Sequence, residues 1–68
     1  MRMVTYQAML SNPNNLARVQ AARRGVEAAG GKVTIAPPTK EGMTLVTLLL
    51  PEGVFPAQFF PELPFYPA

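Results

Sequence analysis

The segment Met43–Leu50 constrains this chain more than any other. Its residues alternate with period two, the repeat of a β-strand. Thr44, Val46, Leu48 and Leu50 fall on one face; Met43, Leu45, Thr47 and Leu49 fall on the other. A strand that is apolar on both faces is central in a sheet, or half covered by something outside the fold. The chain has only 68 residues, of which 49% are hydrophobic and 15% charged. That is enough for one small domain and argues against disorder. It leaves little chain to cover two sheet faces.

The remaining segments supply one long helix and four further elements. Met3–Leu10 alternates and reads as a first strand, with Val4, Tyr6, Ala8 and Leu10 on one face and Met3, Thr5, Gln7 and Met9 on the other. Ser11-Asn12-Pro13 interrupts it. Asn12 suits a helix N-cap and Pro13 the first helical position, so a helix is predicted over 12–29. Leu16, Val19, Ala22, Val26 and Ala29 form its apolar stripe. Gly25 inside the helix reads as permitting close approach to a strand, and Gly30-Gly31 as the stop signal. Residues 32–36 read as a second strand with Val33 and Ile35 on one face, Pro37–Gly42 as a loop, and 43–50 as the third strand. Residues 54–60 suit a short helix or turn. Residues 63–68 suit an edge strand or tail, because Pro61, Pro64 and Pro67 cannot donate to a sheet ladder. The expected fold is α+β: a ferredoxin-like βαββαβ arrangement with a four-stranded antiparallel sheet, one long helix and a shortened second helix. Helices cover one sheet face, and nothing in the chain remains to cover the other.

The residue inventory speaks against an enzyme. There is no histidine, cysteine or aspartate, and Ser11 is the only serine. Glu27, Glu41, Glu52 and Glu62 lie on different expected elements, so no catalytic carboxylate pair, metal site or cofactor site is expected. Gly30-Gly31 follows a helix, whereas phosphate-cradling glycines precede one. Net charge is +2. Arg18, Arg23, Arg24 and Lys32 could form a phosphate-binding ridge, but Glu27 sits among them, as on an ordinary solvated helix face. The third strand carries no aromatic residue for base stacking, and Tyr6 shares a face with Val4 and Leu10, so nucleic acid is not the expected partner.

Two features point to a protein partner. The face opposite the helices presents Met9, Met43, Leu45, Thr47 and Leu49, together with Met3, Thr5, Gln7 and Thr34. Methionine and leucine make such a face sticky, and methionine adapts to irregular surfaces. The chain then closes on Phe65, Tyr66, Pro67 and Ala68, an uncharged apolar end. In a domain this small, burial and the ordering cost of about 1.5 kcal/mol per residue nearly cancel, so an interface is a natural further source of stability. The interface is either with another protein or with a second copy in a homodimer, the open sheet faces packed together.

Taken together, these features resemble the subtilisin propeptide-like inhibitor family of small ferredoxin-like domains. Gly30-Gly31-Lys32-Val33 stands where such domains carry their helix-to-strand glycines, and Leu45-Val46-Thr47-Leu48-Leu49-Leu50-Pro51 resembles their third strand. The resemblance implies an inhibitor or folding aid for a subtilisin-like protease. The open sheet face would dock on the protease, and Phe65-Tyr66-Pro67-Ala68 would lie in the substrate cleft as a product-like strand. Phe65 would fill the pocket four residues before the cut and Ala68 the pocket at the cut. No leader or membrane segment is visible, so a non-membrane protein is expected; this favours the cytoplasm, although the lack of cysteine suits cytoplasm, periplasm or secretion alike, and the start at Met1 reads against release from a longer precursor.

Overall fold

Alternation in the two long strands becomes two unlike sheet surfaces. The computed structural model describes residues 2–11 and 13–68, the side chains of 13 and 14 excepted. Strand β1 spans Met3–Leu10, helix α1 Pro13–Ala28, β2 Lys32–Ile35, β3 Thr44–Pro51 and β4 Tyr66–Pro67. The molecule is α+β, with one helix against a four-stranded antiparallel sheet of order β2-β3-β1-β4. Tyr6, Ala8 and Leu10 of β1, Val33 of β2, and Val46, Leu48 and Leu50 of β3 point toward α1 and are buried with its Val19 and Val26. Full burial of each valine or leucine among them is worth roughly 1.5–3 kcal/mol, which is what holds the helix on the sheet.

The stop after α1 uses its two glycines for different reasons. Gly31 N–H donates to Val26 O at 2.9 Å and Gly30 N–H to Glu27 O at 3.0 Å, the paired bonds of a Schellman ending. Gly30 takes the left-handed conformation this ending requires, with φ +90°. Gly31 instead allows close approach. A Cβ there would lie 2.7 Å from Leu49 O and 2.8 Å from Leu50 Cδ2. The expected stripe residue Ala29 is exposed, because the helix has already ended at Ala28 and Ala29 belongs to the turn. The expected cap at Asn12 lies outside the described residues.

Gly25 does not face a strand. A Cβ at that position would meet only the Phe59 ring, at an ordinary 3.7 Å. The close-approach reading fails there because the neighbour is a side chain of the C-terminal segment, with room to spare. Gly25→Ala should therefore stabilise the protein by about 1 kcal/mol, the propensity difference between the two residues. Differential scanning calorimetry should show Tm rising by about 4–8 °C.

The second helix contracts to one 3-10 turn, Pro56–Gln58. Pro56 starts it, and Phe55 N–H donates to Gln58 Oε1 at 2.8 Å. Pro61 prevents continuation, since it has no N–H and disfavours helical backbone at Phe60. The turn still drives Phe60 into the core, where its ring lies 5.3 Å from Phe65 and 6.2 Å from Phe59. The chain then returns to the sheet. Tyr66 and Pro67 pair with Gln7 and Tyr6, and Ala68 N–H donates to Thr5 O at 2.9 Å. Both sheet edges are short. On the β2 edge, Arg23 Nη2 lies 3.5 Å from Val33 O, and on the other edge Pro67 has no N–H to offer.

Candidate functional site

Residues paired across an antiparallel ladder share a face, so the register places the uncovered surface residue by residue. Thr34 pairs with Thr47, Thr47 with Gln7, and Gln7 with Tyr66. These four side chains form one polar row across all four strands. Apolar residues flank the row: Met9 beside Leu45 toward one end, Leu49 between Thr5 and Lys32 toward the other. No element of the described chain packs over this face. Met9 is 47% exposed and Tyr66 68% exposed. Leu45, Thr47 and Leu49 are half-buried by their neighbours alone. Among the described side chains of this face, Lys32 supplies the only formal charge, at its β2 margin.

The short β4 adds a depression to this face. It pairs with only two residues of β1, so Ala8–Leu10 have β3 on one side and no strand on the other. A groove of about 390 Å³ lies between Met9 and Leu45 on one side and Pro64, Tyr66 and Pro67 on the other. Its walls suit an aliphatic or aromatic side chain. A second, apolar cleft of about 420 Å³ lies on the helix side, between α1 and the Phe59–Leu63 segment. Ala21, Ala22, Phe59 and Leu63 line it, and the Arg18–Glu62 ion pair at 2.8 Å closes its rim.

Of the residues singled out from the sequence, Met9, Leu45, Thr47, Leu49 and Tyr66 come together on the uncovered face. Met43 lies just outside β3, half-buried where the β2–β3 connection closes: Thr39 N–H donates to Met43 O at 2.8 Å and Met43 N–H to Thr39 Oγ1 at 3.2 Å. Phe65 does not join the face. It packs against Phe60 on the core side, because its neighbour Tyr66 takes the open side. Pro67 and Ala68 are exposed at the β4 edge and tied into the sheet.

Two features escaped the sequence reading. The polar row needed the strand register, and Tyr66 enters it only because β4 pairs at Gln7. Phe55, 57% exposed, is an apolar surface residue that the expected helix had absorbed.

The charged groups do not converge. Arg18 is held by Glu62, Arg2 lies 4.0 Å from Glu52, and Glu27 and Glu41 stand on the helix and the β2–β3 loop. Of the arginines on α1, Arg18 is thus engaged by a carboxylate of the C-terminal segment. Among the described residues there is no cluster of three metal-ligating side chains, and no helix is long and apolar enough to cross a membrane. Comparison with protein-family models, with curated proteins and with solved structures returned no match to this chain.

Proposed function

We propose that this protein is a non-catalytic, ferredoxin-like protein-binding domain whose interface is the uncovered sheet face. The observation that carries this reading is the set Met9, Leu45, Leu49 and Tyr66, presented on one side of a rigid sheet with no chain over it. Apolar residues gathered on one face and interspersed with neutral polar groups are what a protein interface requires. The strand order supports the ferredoxin-like assignment, since βαββαβ connectivity puts the first and third strands at the centre.

The concrete partner we propose from the family resemblance is a subtilisin-like protease. The sheet face would dock on the enzyme and residues 65–68 would enter its cleft. For that step β4 must leave β1, giving up the Ala68–Thr5 bond and the Phe65–Phe60 contact. Each hydrogen bond is worth about 1 kcal/mol net, and strand addition in a protease cleft replaces one ladder by another, so the exchange is close to neutral.

Inhibition of a subtilisin-like protease by the full chain tests this reading. Leu49→Lys should raise the inhibition constant by more than about tenfold, because it buries an unpaired charge at the interface. Deletion of residues 65–68 should do the same. An unchanged constant after that deletion rejects the tail mechanism, and no inhibition by the intact chain rejects the protease.

A further inference from the structure

The helix side of the molecule holds a cleft that the protein-binding face does not use. The geometry points to a binding site there for a free hydrophobic α-amino acid, with its side chain between α1 and the Phe59–Leu63 segment and its two charges on the Arg18–Glu62 pair at the rim. The cleft lies across the sheet from the uncovered face, so the site stands independently of the docking reading.

Its two walls explain why the space is open. On α1 the wall is Ala21 and Ala22, whose side chains end at Cβ. Opposite stand Phe59 and Leu63, both half-buried. Turn bonds hold them there: Phe59 N–H donates to Pro56 O at 2.9 Å and Leu63 N–H to Phe60 O at 3.2 Å. The volume of about 420 Å³ is that of a small-molecule pocket, a kind of site that is mostly apolar with a few polar groups fixing orientation. Water in this cleft meets hydrocarbon on most sides. An aliphatic or aromatic side chain that displaces it gains the free energy of apolar burial.

The rim decides what the ligand's head must be. Arg18 Nη1 donates to Glu62 Oε2 at 2.8 Å, and these two are the charged groups among the residues lining the cleft. The contact uses part of a guanidinium with five N–H donors and one of two carboxylate oxygens. At 58% and 73% side-chain exposure, both groups keep further donors and lone pairs accessible, so the pair need not open to take a ligand. A head with only a carboxylate would gain Arg18 and meet repulsion from Glu62. A head with only an ammonium would meet the reverse. A zwitterion sets each charge against its opposite. In an α-amino acid the ammonium nitrogen and a carboxylate oxygen lie roughly 3 Å apart by standard bond lengths, close to the spacing within the pair itself. A dipeptide adds about 3.8 Å between its charges, too far for both to reach so tight a pair. The four charges then alternate around a ring, and the side chain leaves the same carbon toward the apolar walls.

A ligand of roughly ten heavy atoms in an open cleft binds on the order of millimolar. Titrating the isotope-labelled intact chain with L-phenylalanine or L-leucine to about 20 mM should give saturable amide shifts confined to residues 18–25 and 59–63. N-acetyl-L-phenylalanine lacks the ammonium and L-phenylalaninamide lacks the carboxylate; each should bind at least about tenfold more weakly than L-phenylalanine. Arg18→Gln should cause a similar loss. Ala21→Leu fills the cleft from an exposed helix position and should abolish binding, the dispersion of the same spectra showing that each variant is folded. No saturable shift with either amino acid overturns the proposal. So do equal binding of the single-charge analogues, shifts centred on Met9 and Leu45, and undiminished binding by Ala21→Leu.

Discussion

Gly31→Ala should cost about 3 kcal/mol or more and leave much of the protein unfolded at room temperature. The new methyl carbon would sit 2.7 Å from Leu49 O, 2.8 Å from Leu50 Cδ2 and 2.9 Å from Val26 Cγ1. The nearest of these is backbone in the central strand β3, which cannot move without breaking its pairing with β1 or β2. Overpacking in a tight core costs roughly 1–3 kcal/mol even where side chains can yield. Total stability in a domain this small is of similar order. Gly30→Ala is the informative comparison. Its cost is the left-handed backbone at φ +90° and a 3.4 Å contact with Pro51 Cγ, so about 1 kcal/mol is expected. Urea denaturation of the two variants should separate them clearly. Equal midpoints would mean that both glycines serve only to end the helix.

Phe60→Ala should cost about 3–5 kcal/mol, the range for removing a buried phenylalanine. Phe60 is 4% exposed and touches both Phe59 and Phe65. It is thus the anchor of the whole C-terminal segment, and its loss should release β4 before the rest of the sheet. Hydrogen exchange should show this as loss of protection at Ala68 and Tyr66 at denaturant concentrations where Leu48 remains protected. Simultaneous loss at all three positions would show that the C-terminal segment and the β1–β3 pair unfold as one unit.

Periodicity made the long elements legible. Burial alternates along most of β1 and β3, and α1 is closed by a glycine pair whose stop signal is local. The uncovered face followed from β3 alone, because Leu45 and Leu49 have no covering element left in a chain of this length. What the sequence could not carry was non-local. Whether Phe65 or Tyr66 faces the core depends on β4 joining β1 at Gln7, and a two-residue strand between prolines has no periodicity to announce it. The neighbour of Gly25 likewise depends on where Phe59 folds back. The polar row required the offset between β1 and β3, which the long β2–β3 connection and the α1 crossover leave open until the strands pair.

The guarding of the two outer strands governs how copies of this molecule can associate. Pro67 withholds a donor on one rim, and on the other Arg23 stands over the Val33 carbonyl. Neither rim offers an uninterrupted ladder to a newcomer, so growth by sideways strand pairing, the route to fibrils, finds little purchase. The broad side of the sheet carries no such guard. A polypeptide with nearly half its residues hydrophobic thereby keeps both sheet rims poorly suited to open-ended stacking.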